Sequence, residues 1–185
     1  MTFEEIMSYH IDNRIVYEKI KTKTINKTIV PFIGAGLSAK FYPLWKPFLE
    51  KLADTYISEP LIKDNIKTLL EQSDYEEAAE KMHEAMGDFL FFTRLRESFD
   101  VAKIDDSHLK NQAVNLIPIL FRQLVLTTNF DLVLERAFLL NQRALTVGYP
   151  DDTHAFRRSL HAGEGNMLFK FHGDVNKNWD FPSLA

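Results

Sequence analysis

The chain has 185 residues, 45% of them hydrophobic and 26% charged, which suits one compact domain and excludes a disordered or low-complexity protein. Its 26 acidic and 22 basic side chains leave a net charge of −4, so bulk charge gives no footprint for nucleic acid. It contains no cysteine, which excludes a disulfide scaffold, a thiolate nucleophile and any Cys-ligated zinc or iron–sulfur site.

The first residues, MTFEEIMSYHID, are too acidic and polar for a signal peptide, and no apolar run approaches the ~18 residues of a membrane span. A soluble, cytoplasmic protein is expected. Residues 1–27 carry Phe3, Ile6, Met7, Ile11 and Ile15 at roughly helical spacing and predict one amphipathic helix. Residues 28–33 (TIVPFI) are short, apolar and β-branched, and run directly into Gly34-Ala35-Gly36, the pattern of a buried strand ending in a tight turn. Pro31 removes one ladder hydrogen bond, so one side of that strand is expected to be incompletely paired. Ser38 is a candidate helix cap. A helix follows over 46–56, with Phe48, Leu49, Leu52 and Ala53 inward.

Residues 60–116 are helical almost throughout. Pro60 opens a first stripe containing Ile66, Leu69 and Leu70. A second holds Tyr75, Ala78, Ala79 and Met82, and a third Phe89, Leu90, Phe92, Leu95 and Phe99. Ser107 is expected to cap a fourth, with Leu109, Ala113 and Leu116. These are core positions of a helical insert and carry no chemistry. Strand texture returns at 123–127, followed by a helix over 132–141, a strand at 144–147, a helix at 153–161 and a strand at 167–171. The alternation predicts a parallel α/β sheet with a helical module spliced in. In such sheets ligands sit beyond the carboxyl ends of the strands.

Three polar motifs fall at predicted strand ends. Gly34-Ala35-Gly36-Leu37-Ser38 lets backbone amides approach a pyrophosphate closely, with Ser38 adding a hydroxyl. Alone, a bare G-x-G serves equally well as a plain strand-to-helix turn. Thr127-Thr128-Asn129-Phe130-Asp131 sets an amide and a carboxylate two residues apart, suited to a ribose or a water, or else to capping the next helix. Phe171-His172-Gly173-Asp174 offers an imidazole beside a glycine, the makings of a general base near neutral pH. His10, His83, His108, His154 and His161 read as structural, and no metal site is expected.

Taken in order, GAGLS, TTNFD and FKFHGD resemble the sirtuin family, most of all its bacterial sirtuin-like branch, whose domains serve as effectors of anti-phage defence. The resemblance covers about 28–40, 121–138 and 166–175. It implies a Rossmann-like parallel sheet forming a single domain over 1–185. Its nucleotide-binding core would be 28–40 and 121–175, and the helices of about 60–116 would stand in place of a zinc module. The family's Gly-Ala-Gly loop falls on Gly34, Ala35 and Gly36, and its serine on Ser38. Its Asn-x-Asp motif falls on Asn129 and Asp131, with Thr128 where deacylases carry glutamine, and its catalytic histidine falls on His172.

The departures redirect the expected activity. The four-cysteine zinc module of deacylating sirtuins cannot be present, and their Pro-Asp-Phe after the glycine turn is replaced by Tyr42-Pro43-Leu44-Trp45. The resemblance therefore implies NAD+ hydrolysis at the nicotinamide–ribose bond, in an abortive-infection effector, with NAD+ as substrate and no zinc. His172 and Asn129 would be catalytic. Gly34, Ala35, Gly36, Ser38, Thr128 and Asp131 would bind the nucleotide. Expected partners are NAD+, a second copy of the chain and a downstream sensor domain or partner protein, with neither membrane nor nucleic acid. The rest of the sirtuin sheet is expected to be missing after the histidine strand, which could leave the isolated chain inactive. The alternatives are an NAD+ or ADP-ribose sensor without turnover, an oligomerising scaffold and, last, a protein deacylase.

Overall fold

The computed structural model describes residues 2–121, 123–162 and 165–176. The chain begins with two helices, α1 (Phe3–Tyr9) and α2 (Asn13–Ile25), where the sequence predicts one. The break has local causes. Thr2 and Glu5 close a capping box on α1, His10 is extended, and the Asn13 side chain donates back to the Ile6 carbonyl. Neither helix buries a residue.

β1 is only Phe32–Ile33, and the Pro31 carbonyl accepts from the Leu126 amide at 2.9 Å. Proline is tolerated because, among the described residues, β1 lies at the end of the sheet and pairs with β2 alone. Ser38 does not start an α-helix: its amide closes a 3₁₀ turn by donating to the Ala35 carbonyl. That turn, Ala35–Leu37, follows the strand, and α3 (Trp45–Tyr56) starts later, burying the four residues expected of it.

The connection continues through α4 (Pro60–Glu71), α5 (Tyr75–Met86), α6 (Asp88–Ser98), α7 (Asp106–Leu109) and α8 (Ile117–Leu120). Three details differ from the expected stripes. Phe91 and Leu95 are the buried residues of α6, while Phe89 is 86% exposed. Asp105, not Ser107, caps α7, accepting from the Ser107 amide at 2.9 Å. Leu116 is exposed and Val114 takes the inward place.

β2 (Leu124–Thr127), α9 (Val133–Leu140), β3 (Leu145–Gly148), α10 (Thr153–Ala162) and β4 (Asn166–Lys170) complete the order. The architecture is mixed α/β and Rossmann-like. Among the described residues one sheet forms, ordered β1-β2-β4-β3, with every pair parallel. Registers Ile33↔Thr127 and Thr127↔Lys170 place the three strand ends side by side. Ile33, Val125 and Leu168 join one core with Leu49, Met82, Phe91, Leu134 and Phe138 of the surrounding helices. By strand alternation Thr127 and Lys170 lie on this same face, at its carboxyl edge. On the opposite face the Phe156 ring of α10 lies tilted against Phe169 at 4.8 Å and covers Gly148, where a Cβ would clash with it. The chain after residue 176, where further sheet strands were expected to be missing, lies outside the described residues.

Candidate functional site

Parallel pairing sends the loops after β1, β2 and β4 out of the same edge of the sheet. β2 is central, so the loop of Asn129 stands between the glycine turn and His172. At ordinary strand spacing the flanking loops are about 10 Å apart. Phe32 and Phe171, one on each flank, bring their ring centroids to 5.7 Å.

Thr127 closes the β1–β2 end. Its hydroxyl donates to the Ile33 carbonyl at 2.8 Å and accepts from the Asn129 amide at 2.9 Å. This bends the chain straight after the strand and turns Asn129 inward, where it is 6% exposed. The Asn129 Nδ2 donates to Ser38 Oγ at 3.1 Å, and Ser38 is itself buried. The loop of the glycine turn and the TNFD loop are thus joined side chain to side chain. Asn129 Oδ1 is buried without a hydrogen-bond partner among the described residues. A buried amide oxygen left unpaired is costly in a folded protein and is expected to meet a ligand or water.

Asp131 does what a capping residue does: Oδ1 accepts from the Val133 amide at 3.0 Å, in the first turn of α9. Burial pushes its carboxyl up from the ordinary range. The Val133 amide, the Ser38 hydroxyl and the Lys170 charge pull the other way, and Asp174 adds to the rise. Ser38 thus accepts from Asn129 and is among the groups that favour the ionised form of Asp131. Thr128 is half-buried. Gly34, Ala35 and Gly36 are exposed, and a Cβ at Gly34 or Gly36 would meet nothing within 4 Å, so the turn is open to an approaching group.

His172 is half-buried, and its imidazole makes no hydrogen bond or ion pair with the described residues. The next residue, Gly173, has φ 77°, a conformation glycine adopts without a Cβ clash. That turn reverses the chain so that the Val175 amide donates to the Phe130 carbonyl at 2.9 Å, while the Phe171 amide donates to the Thr127 carbonyl at 2.9 Å. Three other histidines make local surface contacts: His83 Nε2 lies 2.8 Å from Asp88, His108 meets Gln112, and His10 accepts from the Asp12 amide.

Lys170 was not among the expected site residues. It is 0% exposed, and its ammonium donates to the Asp131 carbonyl at 2.7 Å, Glu135 Oε1 at 2.7 Å, Asp174 Oδ2 at 2.9 Å and the Phe130 carbonyl at 3.4 Å. Burial also raises the Glu135 carboxyl, against the pull of Lys170, and Glu135 Oε2 is buried without a partner. Tyr149 Oη donates to Asp174 Oδ2 at 3.5 Å, and burial beside Asp174 keeps that phenol protonated.

From the helical side, Phe130 is gripped by Trp45 at 5.1 Å and Phe99 at 4.6 Å. Tyr42, whose hydroxyl donates to the Asp100 carbonyl at 3.0 Å, is held protonated by burial, with Asp131 adding to the effect.

A family model described as SIR2-like domain matches residues 123–182. Over that third of its length the chain is similar to sirtuin-like domains. The matched stretch holds β2, β3 and β4 with the TNFD and HGD loops. The glycine turn lies outside it and joins the sirtuin-like segment through the β1–β2 pairing and the Ser38–Asn129 bond. No curated protein matches the chain. Among the described residues no group of three or more His, Asp or Glu side chains could hold a metal ion, and no helix is long and apolar enough to cross a membrane. An open concavity of about 580 Å³ along α2, bounded by residues such as Arg14, Glu18 and Lys23, contains no residue of the three loops.

Proposed function

We propose that the chain is a cytoplasmic sirtuin-like NAD+ glycohydrolase, acting as an abortive-infection effector in anti-phage defence. The observation that carries the reading is the joining of separate loops at one sheet edge, with Asn129 Nδ2 fixed on Ser38 and Asn129 Oδ1 left unpaired inside the protein. NAD+ is the substrate, and its chemistry suits the donor set. The exposed amides of the 34–36 turn offer N–H groups to pyrophosphate oxygens. Asn129 Oδ1 accepts from a ribose hydroxyl or a water. Ser38 holds the Asn129 amide and so the face that Asn129 presents, while Asp131 caps the start of the following helix.

In the reaction the nicotinamide–ribose bond breaks, nicotinamide leaves with the bonding electron pair, and positive charge develops on the sugar, as in other glycoside cleavages. Water adds to the anomeric carbon, and His172 accepts the proton released. The products are nicotinamide, ADP-ribose and a proton. Positioning and charge stabilisation supply most of the acceleration. A chain without cysteine has no four-cysteine zinc module for deacylation, which favours water as the acceptor.

The test is nicotinamide release from NAD+ by the full chain with its natural partners, against Asn129→Ala and His172→Ala. Each variant should lose about a hundredfold or more in kcat, the cost of one preorganised contact. Unchanged release in both would overturn the reading. Tight NAD+ binding without product would make the domain a sensor.

A further inference from the structure

We infer that Lys170 is the positioning residue of this site, setting the loop of Asn129 and Asp131 against the turn of His172. The inference rests on the NAD+ hydrolase reading for its activity arm only. Lys170 is the last residue of β4, two before His172, and no part of it reaches solvent. Its three N–H groups face four oxygens from three separate segments: the Phe130 and Asp131 carbonyls, Glu135 of α9 and Asp174 beyond the histidine turn.

Among the described residues two backbone bonds otherwise tie these loops together, Phe171 N–H to Thr127 and Val175 N–H to Phe130, and they bracket His172. The ammonium shares the Phe130 carbonyl with the second of them. A buried cation enclosed by carboxylates is an inefficient way to gain stability alone, since apolar residues of similar volume often serve as well. What the ammonium supplies, and a methyl group cannot, is directional bonds to two loop carbonyls at once.

Lys170→Met alone leaves buried carboxylates without their cation and could fail to fold. The decisive protein is therefore the triple variant Lys170→Met, Glu135→Gln, Asp174→Asn, which removes the charges together. Two measurements are made on the full chain. The first is amide hydrogen exchange. The Phe171 and Val175 amides should exchange about tenfold faster or more, while Val125 and Leu168 in the strands keep their protection, the pattern of local opening. A purely stabilising lysine would speed all four alike, and wild-type protection at Phe171 and Val175 would show that the loops do not depend on it. Either result overturns the inference. The second is steady-state NAD+ turnover. The triple variant should lose about tenfold or more in kcat with KM changed far less, as expected when a transition-state contact is misplaced while ground-state binding survives. Wild-type kcat in a folded triple variant also overturns it. If the wild-type chain releases no nicotinamide, the hydrolase reading falls, and the exchange pattern still decides the role of Lys170.

Discussion

Asp131 is a carboxylate held almost wholly inside the protein, at 7% exposure. Its folded-state pKa is raised, chiefly by burial, and so is that of Glu135. In the unfolded chain such groups titrate at about 4. The ionised forms are therefore disfavoured by folding. The penalty is absent below about pH 4, grows as pH rises towards the raised values, and is complete above them. Relative to Asp131→Asn, the wild-type protein should gain stability as pH falls from neutral towards about 4.5. Urea midpoints of both proteins across that range measure the gain. A difference that stays constant with pH would mean that the Asp131 carboxyl titrates as it does in the unfolded chain. Surface carboxylates held low by partners, such as Asp106 beside Arg136, act in the opposite direction but cancel in the comparison.

At the scale of elements, α6 shows how little one helix reveals about its own inward face. Phe89, Leu90, Phe91 and Phe92 are consecutive apolar residues, so helical periodicity admits more than one stripe. Packing on α5 decides, and the His83 ring meets Phe91 at 5.3 Å and Phe92 at 5.1 Å. Phe91→Ala should cost about 3–5 kcal/mol and Phe89→Ala less than about 0.5 kcal/mol, read from chemical denaturation. α3, by contrast, has its inward residues at i, i+1, i+4 and i+5 among charged neighbours, and its face was legible. The helix break at 10–12 was not, because it depends on a capping box and a side-chain bond instead of a proline or glycine. Lys170 was missed for a related reason. MLFKF reads as a strand whose lysine ends in solvent, yet both faces of β4 are covered, so alternation gives no warning. The signal that was available is a lone lysine flanked by Phe169 and Phe171, one residue before a polar motif.

At the scale of the molecule, the parallel order of strands and the three loops at their carboxyl ends were readable from the alternation of textures. The sheet order, with β4 inserted between β2 and β3, was not, since nothing local encodes which strand a neighbour will be. The side-chain link from Ser38 to Asn129 was equally hidden, each residue having a simpler local use as a cap. The body of the domain also does not draw on its first two helices for its core. A chain beginning at residue 26 should melt within about 0.5 kcal/mol of the full chain. A larger loss would show that α1 and α2 stabilise the domain through contacts other than burial.

The bonds that assemble the site connect residues very distant in the polypeptide. Thr127 reaches Ile33 across 94 positions, Asn129 reaches Ser38 across 91, and Lys170 returns to Asp131 across 39. During synthesis the glycine turn therefore leaves the ribosome long before the residues it will face, and the histidine turn arrives last of the three. No stretch of nascent chain short of that turn holds the full constellation. Whatever chemistry this edge performs therefore begins only once translation has passed the histidine turn.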